Sequence, residues 1–325
     1  MNHAHVTGGT QDVEQLRREL EQAERKIEAL KQVAATRKLR YQRAEAELDR
    51  LLRAWPRRAI RFARQAVGLG DLRAVCLFIG YPRSGHSLLG SLLDAHPDIA
   101  IAHEVNVLRL VSESGLGRRE LFHTLLRRAE ADAARKKGRR ATGYSYAVPG
   151  QWQGYIRTLR VIGGKAGEKT TVRLGRDPGE LKQLARLARA PVRLIHVTRN
   201  PYDSIARMAA TTKAGVPERT VARATDFLGR LARINDRLIS SGKAEVLTIR
   251  HESFVRSPHE ELQRLAAYLE VDPEPSWLNA CAKVVFPAPQ RARDAVVWTA
   301  AERAAVEEII ARRSFFAGYT WESAE

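Results

Sequence analysis

Residues 75–97, VCLFIGYPRSGHSLLGSLLDAHP, constrain the fold more than any other part of the chain. Gly80 and Gly85 are separated by four residues and followed by His86 and Ser87, which is the Walker A spacing with histidine in place of lysine. The apolar run before the loop predicts a buried strand, and residues 86–96 predict a helix. Such a loop presents backbone N–H groups and the positive end of a helix to an anion. The sequence therefore predicts an anion-binding site.

The chain alternates between strand and helix patterns from residue 73 onward. VRLIHVT at 192–198 predicts a second buried strand, and AEVLTI at 244–249 predicts a third strand. Helix-start signals occur at Asp177 to Glu180, at Pro201, at Ser257 with Pro258 and Glu260, and at Thr299 with Glu302. Strands that alternate with helices indicate a parallel sheet. We expect an α/β fold over residues 73–325, a P-loop-like three-layer domain with a central parallel sheet.

Residues 11–53 contain no Gly or Pro and repeat apolar residues with heptad spacing. This pattern predicts a long N-terminal coiled-coil helix, preceded by a disordered segment at 1–10, and oligomer formation through the coiled coil. In a parallel homodimer like charges would face each other, for example Glu19 and Glu24. Antiparallel pairing, a different partner, or one helix folded back on its own domain therefore stay open.

Residues 54–72 form a basic segment that predicts an amphipathic linker helix. Within 54–67, Trp55 and Phe62 share one face with alanines, and the arginines lie mostly off that face. Such a helix either packs on the neighbouring domain or lies on an anionic membrane surface. Peripheral contact with an anionic membrane is thus one expectation for residues 54–67.

The composition favours anionic partners. Lys and Arg number 55 against 37 acidic residues, which gives a net charge of +18. The sequence has no recognisable nucleic-acid-binding pattern, so no specific nucleic acid is expected. Two cysteines exclude a disulfide framework, and the histidines lack metal-ligand spacing, so no metal is expected. No apolar run approaches the roughly 18 residues that span a bilayer. We expect a cytoplasmic protein, with peripheral membrane contact as an alternative.

Four segments resemble the sulfotransferases that use 3′-phosphoadenosine 5′-phosphosulfate (PAPS). YPRSGHSLL at 81–89 resembles their 5′-phosphosulfate loop, and DAHPDIAIAHE at 94–104 resembles the bacterial and tyrosylprotein branch. LIHVTRNPYDS at 194–204 is similar to the strand that ends in a 3′-phosphate-binding arginine. IRHESFVRSPHEELQRLAAYLEV at 249–271 is similar to the family's strand, acidic turn and helix. The resemblance covers about residues 74–320 and implies sulfuryl transfer from PAPS to an acceptor hydroxyl.

The resemblance also implies roles for individual residues. It assigns the 5′-phosphosulfate site to the backbone and side chains of Arg83, Ser84, Gly85, His86 and Ser87. Arg83 also counts among the catalytic residues, because it is the cation within the loop.

The general base is expected at Glu104 or at the adjacent His103. Glu104 stands where the tyrosylprotein branch has its catalytic glutamate, and other branches use histidine. Lys169 in GEKTT resembles the lysine that neutralises the leaving phosphate, although Thr171 stands where proline is usual.

The 3′-phosphate is expected at Arg199, because a guanidinium can hold phosphate with two hydrogen bonds. The family places a serine eight residues later, where this chain has Arg207, and Ser204 lies five residues later. Either residue can complete this subsite. Arg291, with Arg293, resembles the family's basic C-terminal cofactor segment.

Two other functions remain as alternatives. A nucleotide-binding P-loop kinase or NTPase would bind ATP or GTP with magnesium, which the missing Walker lysine argues against. A non-enzymatic adaptor would combine the coiled coil with a basic anion-binding domain. The sulfate acceptor itself is not identified, and glycan, lipid and small molecule stay open. The basic run RKKGRR at 135–140 is consistent with an acidic acceptor.

Overall fold

The computed structural model describes residues 71–136, 146–210, 219–286 and 288–323. The predicted N-terminal segment at 1–10 and the coiled coil at 11–53 lie outside the described residues, as does the linker helix except for its last two positions. Residues 137–140 of the basic run also lie outside them.

The described residues fold around a five-stranded parallel sheet with the order β2-β3-β1-β4-β5. The strands are β1 (Ala74–Gly80), β2 (Ile99–His103), β3 (Val161–Lys165), β4 (Val192–Thr198) and β5 (Glu245–Arg250). The predicted strands β1, β4 and β5 are confirmed, and the α/β fold with a central parallel sheet is confirmed with them. The sequence analysis missed β2 and β3, because their alanines and glycines give a weak strand signal.

Helices connect the strands and cover the sheet. They are α1 (His86–Leu93), α2 (Val107–Ser114), α3 (Arg118–Lys136), α4 (Glu168–Arg176), α5 (Glu180–Ala188), α6 (Pro201–Ala209), α7 (Val221–Ser240), α8 (His251–Arg256), α9 (Pro258–Leu269), α10 (Pro275–Ala282) and α11 (Ala300–Ala311). Among these helices, none is both long and apolar enough to cross a membrane.

The predicted helix boundaries are only partly correct. The helix expected at 86–96 ends at Leu93, because Asp94 caps it and turns its carboxylate to the backbone N–H of Ile101 at 2.9 Å. Thr299 and Glu302 form the predicted capping box.

The helix start predicted at Ser257 with Pro258 is confirmed, but Ser257 makes no side-chain capping bond there, and the same residue also ends α8. One other predicted helix start differs from the structure. The helix expected after Asp177 begins at Glu180, and the Asp177 carboxylate instead accepts a bond from the N–H of Gly179.

The core lies on both faces of the sheet. All seven residues of β1 are buried, as expected for a central parallel strand covered by helices on both sides. Cys76 and Phe78 pack against α1, α9 and α10, where the indole N–H of Trp277 donates to the carbonyl of Leu92 at 2.8 Å. A second cluster joins α6, α7 and α11 around Tyr81. This arrangement fixes the loop after β1 at the carboxyl edge of a rigid sheet.

We expect Gly163→Ala to destabilise the fold. A Cβ at Gly163 would lie 1.8 Å from the carbonyl oxygen of Cys76, so β3 and β1 would have to separate. Overpacking of this kind costs roughly 1–3 kcal/mol. Urea unfolding measures the loss. Gly117→Ala is the control, because a Cβ there lies 3.4 Å from the nearest atom, and its cost should stay below about 1 kcal/mol. Equal losses in both variants would contradict this account of β3.

Candidate active site

The loop between β1 and α1 curls through backbone conformations that favour glycine. The φ angle is 137° at Gly80, 65° at Arg83 and 101° at Gly85. A Cβ at Gly85 would lie 2.5 Å from Nδ1 of His251, so the loop packs directly on the segment that follows β5. The first amides of α1 have no partner within the helix and point towards the loop. The loop and this helix end line a cavity of about 430 Å³.

Ser84 and His86 turn their side chains into the loop. The Ser84 hydroxyl lies 2.9 Å from the carbonyl of Tyr81 and 3.2 Å from Nδ1 of His86. Nε2 of His86 lies 3.1 Å from the carbonyl of Ile79, which only accepts, so Nε2 is the protonated nitrogen. Burial lowers the pKa of His86 to about 4, and the ring is therefore neutral at pH 7. The imidazole thus braces the loop between the Ser84 hydroxyl and the carbonyl of Ile79.

Lys165 is the residue that the sequence analysis missed. It ends β3, and only 6% of its side chain is exposed. Its ammonium donates to the Ser87 hydroxyl at 3.0 Å and to the carboxylate of Glu104. Lys169, the predicted lysine, lies in the first turn of α4, about half exposed, with its nitrogen 3.6 Å from Glu104. The sequence signal for Lys165 is an apolar run that ends in lysine and indicates a strand end. The two glycines of VIGGK weaken that signal.

Glu104 lies on the rim of the cavity, directly after β2. Its backbone has a φ of 57°, and its N–H donates to the carbonyl of Lys165 at 2.8 Å. Partial burial raises the pKa of Glu104, but the ammonium groups of Lys165 and Lys169 lower it by more than burial raises it. The net pKa lies below the ordinary value, so the carboxylate is ionised at neutral pH.

His103, the alternative base, is buried beside Ser91, with Nε2 3.4 Å from the serine hydroxyl. It is not among the described residues that line the cavity, whereas Glu104 is. The geometry therefore favours Glu104 as the group that meets an acceptor.

Two arginines meet at Gln290 in another part of the same cavity. Arg199 is 7% exposed and donates to the carbonyls of Arg83 and Gln290, at 3.3 and 2.5 Å. Arg207 donates to the side-chain oxygen of Gln290. Both guanidinium groups line the cavity, so the fold brings together the predicted arginine and the residue that stands at the usual serine position.

The remaining predicted residues of this subsite lie elsewhere. Ser204 is buried and Arg291 faces the C-terminal turn, and neither is among the described residues that line the cavity. Arg291 pairs with Asp294 at 3.0 Å. Arg293 is buried in an ion pair with Asp203 at 2.8 Å, which ties α6 to the C-terminal segment.

Several cavity residues were not predicted. They include His251, Glu168, Arg219, Phe227 and Phe286. Burial, helped by the charge of Arg199, lowers the pKa of His251 to about 3, so its ring is neutral. Burial and the charge of Glu104 raise the pKa of Glu168 above its ordinary value. These residues lie far apart in the sequence, and only the fold brings them together.

The cations that line the cavity outnumber its carboxylates. Within the described part of the chain, five basic side chains, Arg83, Lys165, Arg199, Arg207 and Arg219, line it together with the carboxylates Glu104 and Glu168. In a cleft of low dielectric this balance favours a ligand with several negative charges. Among the described residues, no group of three or more His, Cys, Asp or Glu side chains is arranged to hold a metal ion.

Solved structures with a similar fold include several sulfotransferases. The sulfotransferase domain of the Synechococcus olefin synthase is 16% identical, with a TM-score of 0.42, and the match covers 74% of this chain and 94% of that one. A Mycobacterium avium sulfotransferase is 11% identical, with a TM-score of 0.44 and coverage of 79% and 81%. A mouse sulfotransferase complexed with PAP is 15% identical, with a TM-score of 0.40 and coverage of 74% and 83%.

A search of curated proteins finds no match to the chain. The model of the sulfotransferase family matches residues 77–275, which include the last four residues of β1, the loop, Glu104, Lys165 and Arg199. This match spans more than half of the chain and all of the strands β2 to β5. The chain belongs to the sulfotransferase family.

Proposed function

We propose that this protein transfers the sulfuryl group of PAPS to a hydroxyl group of an acceptor. The observation that supports this most directly is the cluster of Ser87, Lys165 and Glu104. The cluster joins an anion-binding loop, a buried cation and an ionised carboxylate in one cavity. An acceptor hydroxyl at this point has a proton acceptor beside it, and a departing anion has a positive charge beside it.

The residues of the cavity fit the charges of PAPS. The molecule has a phosphosulfate at one end and a phosphate at the 3′ position, so it needs two separate groups of donors. The loop amides, Ser87, Arg83 and Lys165 would hold the phosphosulfate. Arg199 and Arg207 would hold the 3′-phosphate as guanidinium forks. The apolar side chains of Met208 and Phe286 line the same cavity and offer a surface for the adenine ring.

The chain's own residues would do three things during transfer. PAPS supplies the activated sulfuryl group. Glu104 would accept the proton of the acceptor hydroxyl, because its carboxylate is ionised and lies on the cavity rim. Lys165 would offset the negative charge that develops on the leaving oxygen. When Lys165 turns towards an anion at the loop, it neutralises Glu104 less, and the proton affinity of Glu104 rises.

A nucleotide kinase or NTPase is a weaker fit. The position of the Walker lysine is occupied by His86, whose ring is neutral and engaged inside the loop. No cation therefore extends from that position towards the β- and γ-phosphates of ATP or GTP.

We expect Arg199→Ala to weaken binding of adenosine 3′,5′-bisphosphate about tenfold to a hundredfold, because it removes charge-assisted hydrogen bonds to the 3′-phosphate. Titration calorimetry measures this directly. Arg291→Ala is the matched control, since that arginine lies outside the cavity, and it should bind within about twofold of the parent. Magnesium-dependent binding of ATP or GTP in preference to the bisphosphate would contradict the proposed donor.

We expect Glu104→Gln to reduce kcat about 10²- to 10⁴-fold, which is the usual contribution of a general base. Binding of the bisphosphate should stay nearly unchanged, because the loop and the arginine pair are intact. Transfer from PAPS to a pool of hydroxyl acceptors measures the rate. Glu113→Gln serves as the control, since it removes an exposed carboxylate of α2. Normal transfer by Glu104→Gln, together with loss in His103→Ala, would assign the base to His103.

The acidic limb of the kcat/KM profile should lie below the ordinary pKa of glutamate, because the two lysines stabilise the ionised carboxylate of Glu104. Transfer needs that carboxylate ionised, so activity falls as the pH drops through its pKa. Lys165→Met removes the nearer lysine and leaves burial to raise the pKa, so the limb should move to higher pH. Lys182→Met on the exposed surface of α5 should leave it in place. If the limb does not move in Lys165→Met, the pH dependence does not arise from the ionisation of Glu104.

A further inference from the structure

A second cavity, of about 670 Å³, lies between α7 and the C-terminal end of α11. Arginine dominates its rim. Among the residues that the structure describes, six arginines line it, Arg219, Arg223, Arg230, Arg233, Arg312 and Arg313, against the two carboxylates Asp226 and Glu308. We call this cavity the arginine groove. The arginines outnumber these carboxylates, so the groove has a net positive charge and favours an anionic ligand.

The helix itself does not require this arrangement. Arg223, Arg230 and Arg233 lie on one face of α7, since their spacings are seven and three residues. Like charges close together on one face destabilise a helix by a few tenths of a kcal/mol per pair. Asp226 lies on the same face, three residues after Arg223 and four before Arg230, so one carboxylate serves three arginines there. The excess positive charge on this face is what a bound anion would offset.

The arginine groove adjoins the active-site cavity. Arg219 lines both cavities. Phe227 lines the active-site cavity, and the guanidinium groups of Arg219 and Arg230 lie over its ring at 4.3 and 5.6 Å. Arg219 is thus common to both cavities, and its guanidinium lies over a ring that lines the active-site cavity. A ligand chain that leaves the active site past Arg219 would enter the groove.

The shape of the groove limits the ligand. Its floor is made of small or short side chains, including Thr225, Gly229 and Ala232, which are buried. Arg223 to Arg233 covers ten residues of helix, about 15 Å. A single small metabolite would contact only part of this length. An extended chain with repeated negative charges would contact all of it.

We propose that the arginine groove binds an acidic oligosaccharide that is the sulfate acceptor, with one hydroxyl at Glu104 and its carboxylate or sulfate groups along α7. This rests on the proposed function. An acidic oligosaccharide has both the hydroxyl groups that sulfuryl transfer requires and the repeated anions that guanidinium groups bind with paired hydrogen bonds.

The test uses the full chain, saturated with adenosine 3′,5′-bisphosphate, and measures binding of oligogalacturonates of two to ten units by calorimetry. Maltooligosaccharides of equal length are the neutral comparison. The groove variant is Arg223→Gln with Arg233→Gln and Arg312→Gln, three exposed rim positions outside the active-site cavity. The matched control is Arg176→Gln with Lys182→Gln and Arg186→Gln, which removes the same charge from exposed positions on α4 and α5.

We expect oligogalacturonate binding to strengthen with length, to weaken with salt, and to fall at least about tenfold in the groove variant, with less than about a threefold change in the control. Binding of the bisphosphate should be the same in all three proteins. Equal losses of binding in the two variants would show that only the net charge of the protein matters, and would overturn the proposal. Equal binding of maltooligosaccharides, or stronger groove-dependent binding of anionic vesicles or RNA, would also overturn it. Failure of the bisphosphate to bind while the oligosaccharide still binds the groove would instead reject the proposed donor.

Discussion

The ammonium group of Lys165 sits where almost no water reaches it, and burying a charge is costly unless that charge is paired and hydrogen-bonded. Its partners, Ser87 and Glu104, come from the loop after β1 and from the end of β2. The three groups thus hold together three neighbouring strands at their carboxyl ends. The pairing also sets the ionisation of Glu104 and orients Ser87. Loss of Lys165 or Glu104 would leave the other with an unbalanced charge. Loss of Ser87 would leave one N–H donor of Lys165 without its acceptor.

The same edge of the sheet supplies the rest of the cavity. Arg199 follows β4 directly and His251 follows β5 directly. Ligands of open parallel sheets bind outside the carboxyl ends of the strands, where loops and helix N-termini converge. Each strand of this sheet therefore contributes at least one residue to the site. The long-range contacts arise from topology, because residues 85 and 251 become neighbours only when β1, β4 and β5 are aligned.

The sequence was sufficient to predict those parts of the fold that depend on local pattern. The apolar runs of β1, β4 and β5 and the glycine spacing of the loop have strong local signals, and so does the capping box at Thr299. The strands β2 and β3 are short and contain many small residues, so the sequence did not show that they are strands. It therefore did not predict that the lysine at the end of β3 lies beside the loop.

The candidate site was predictable to a similar extent. Arg83 and Arg199 were found because one lies within the glycine-rich loop and the other directly follows a recognisable strand. Glu104 was found because its segment resembles the tyrosylprotein branch, although the strand before it was missed. His251 and Gln290 reach the cavity only through packing of the C-terminal half, which local sequence does not encode. Ser204 was chosen by its distance along the chain, but the helical rotation of α6 buries it.

The inward position of the His86 ring has a consequence for redesign of the loop. The Walker A pattern differs at this one position, which suggests that one substitution could restore a nucleotide-hydrolase loop. In this fold the side chain at residue 86 is sealed beneath the loop against Ser84 and Ile79, within the field of Lys165. A longer cationic side chain there would bury a second ammonium group beside the first. The whole packing under the loop, and not one residue, would have to be redesigned to exchange one anion specificity for another.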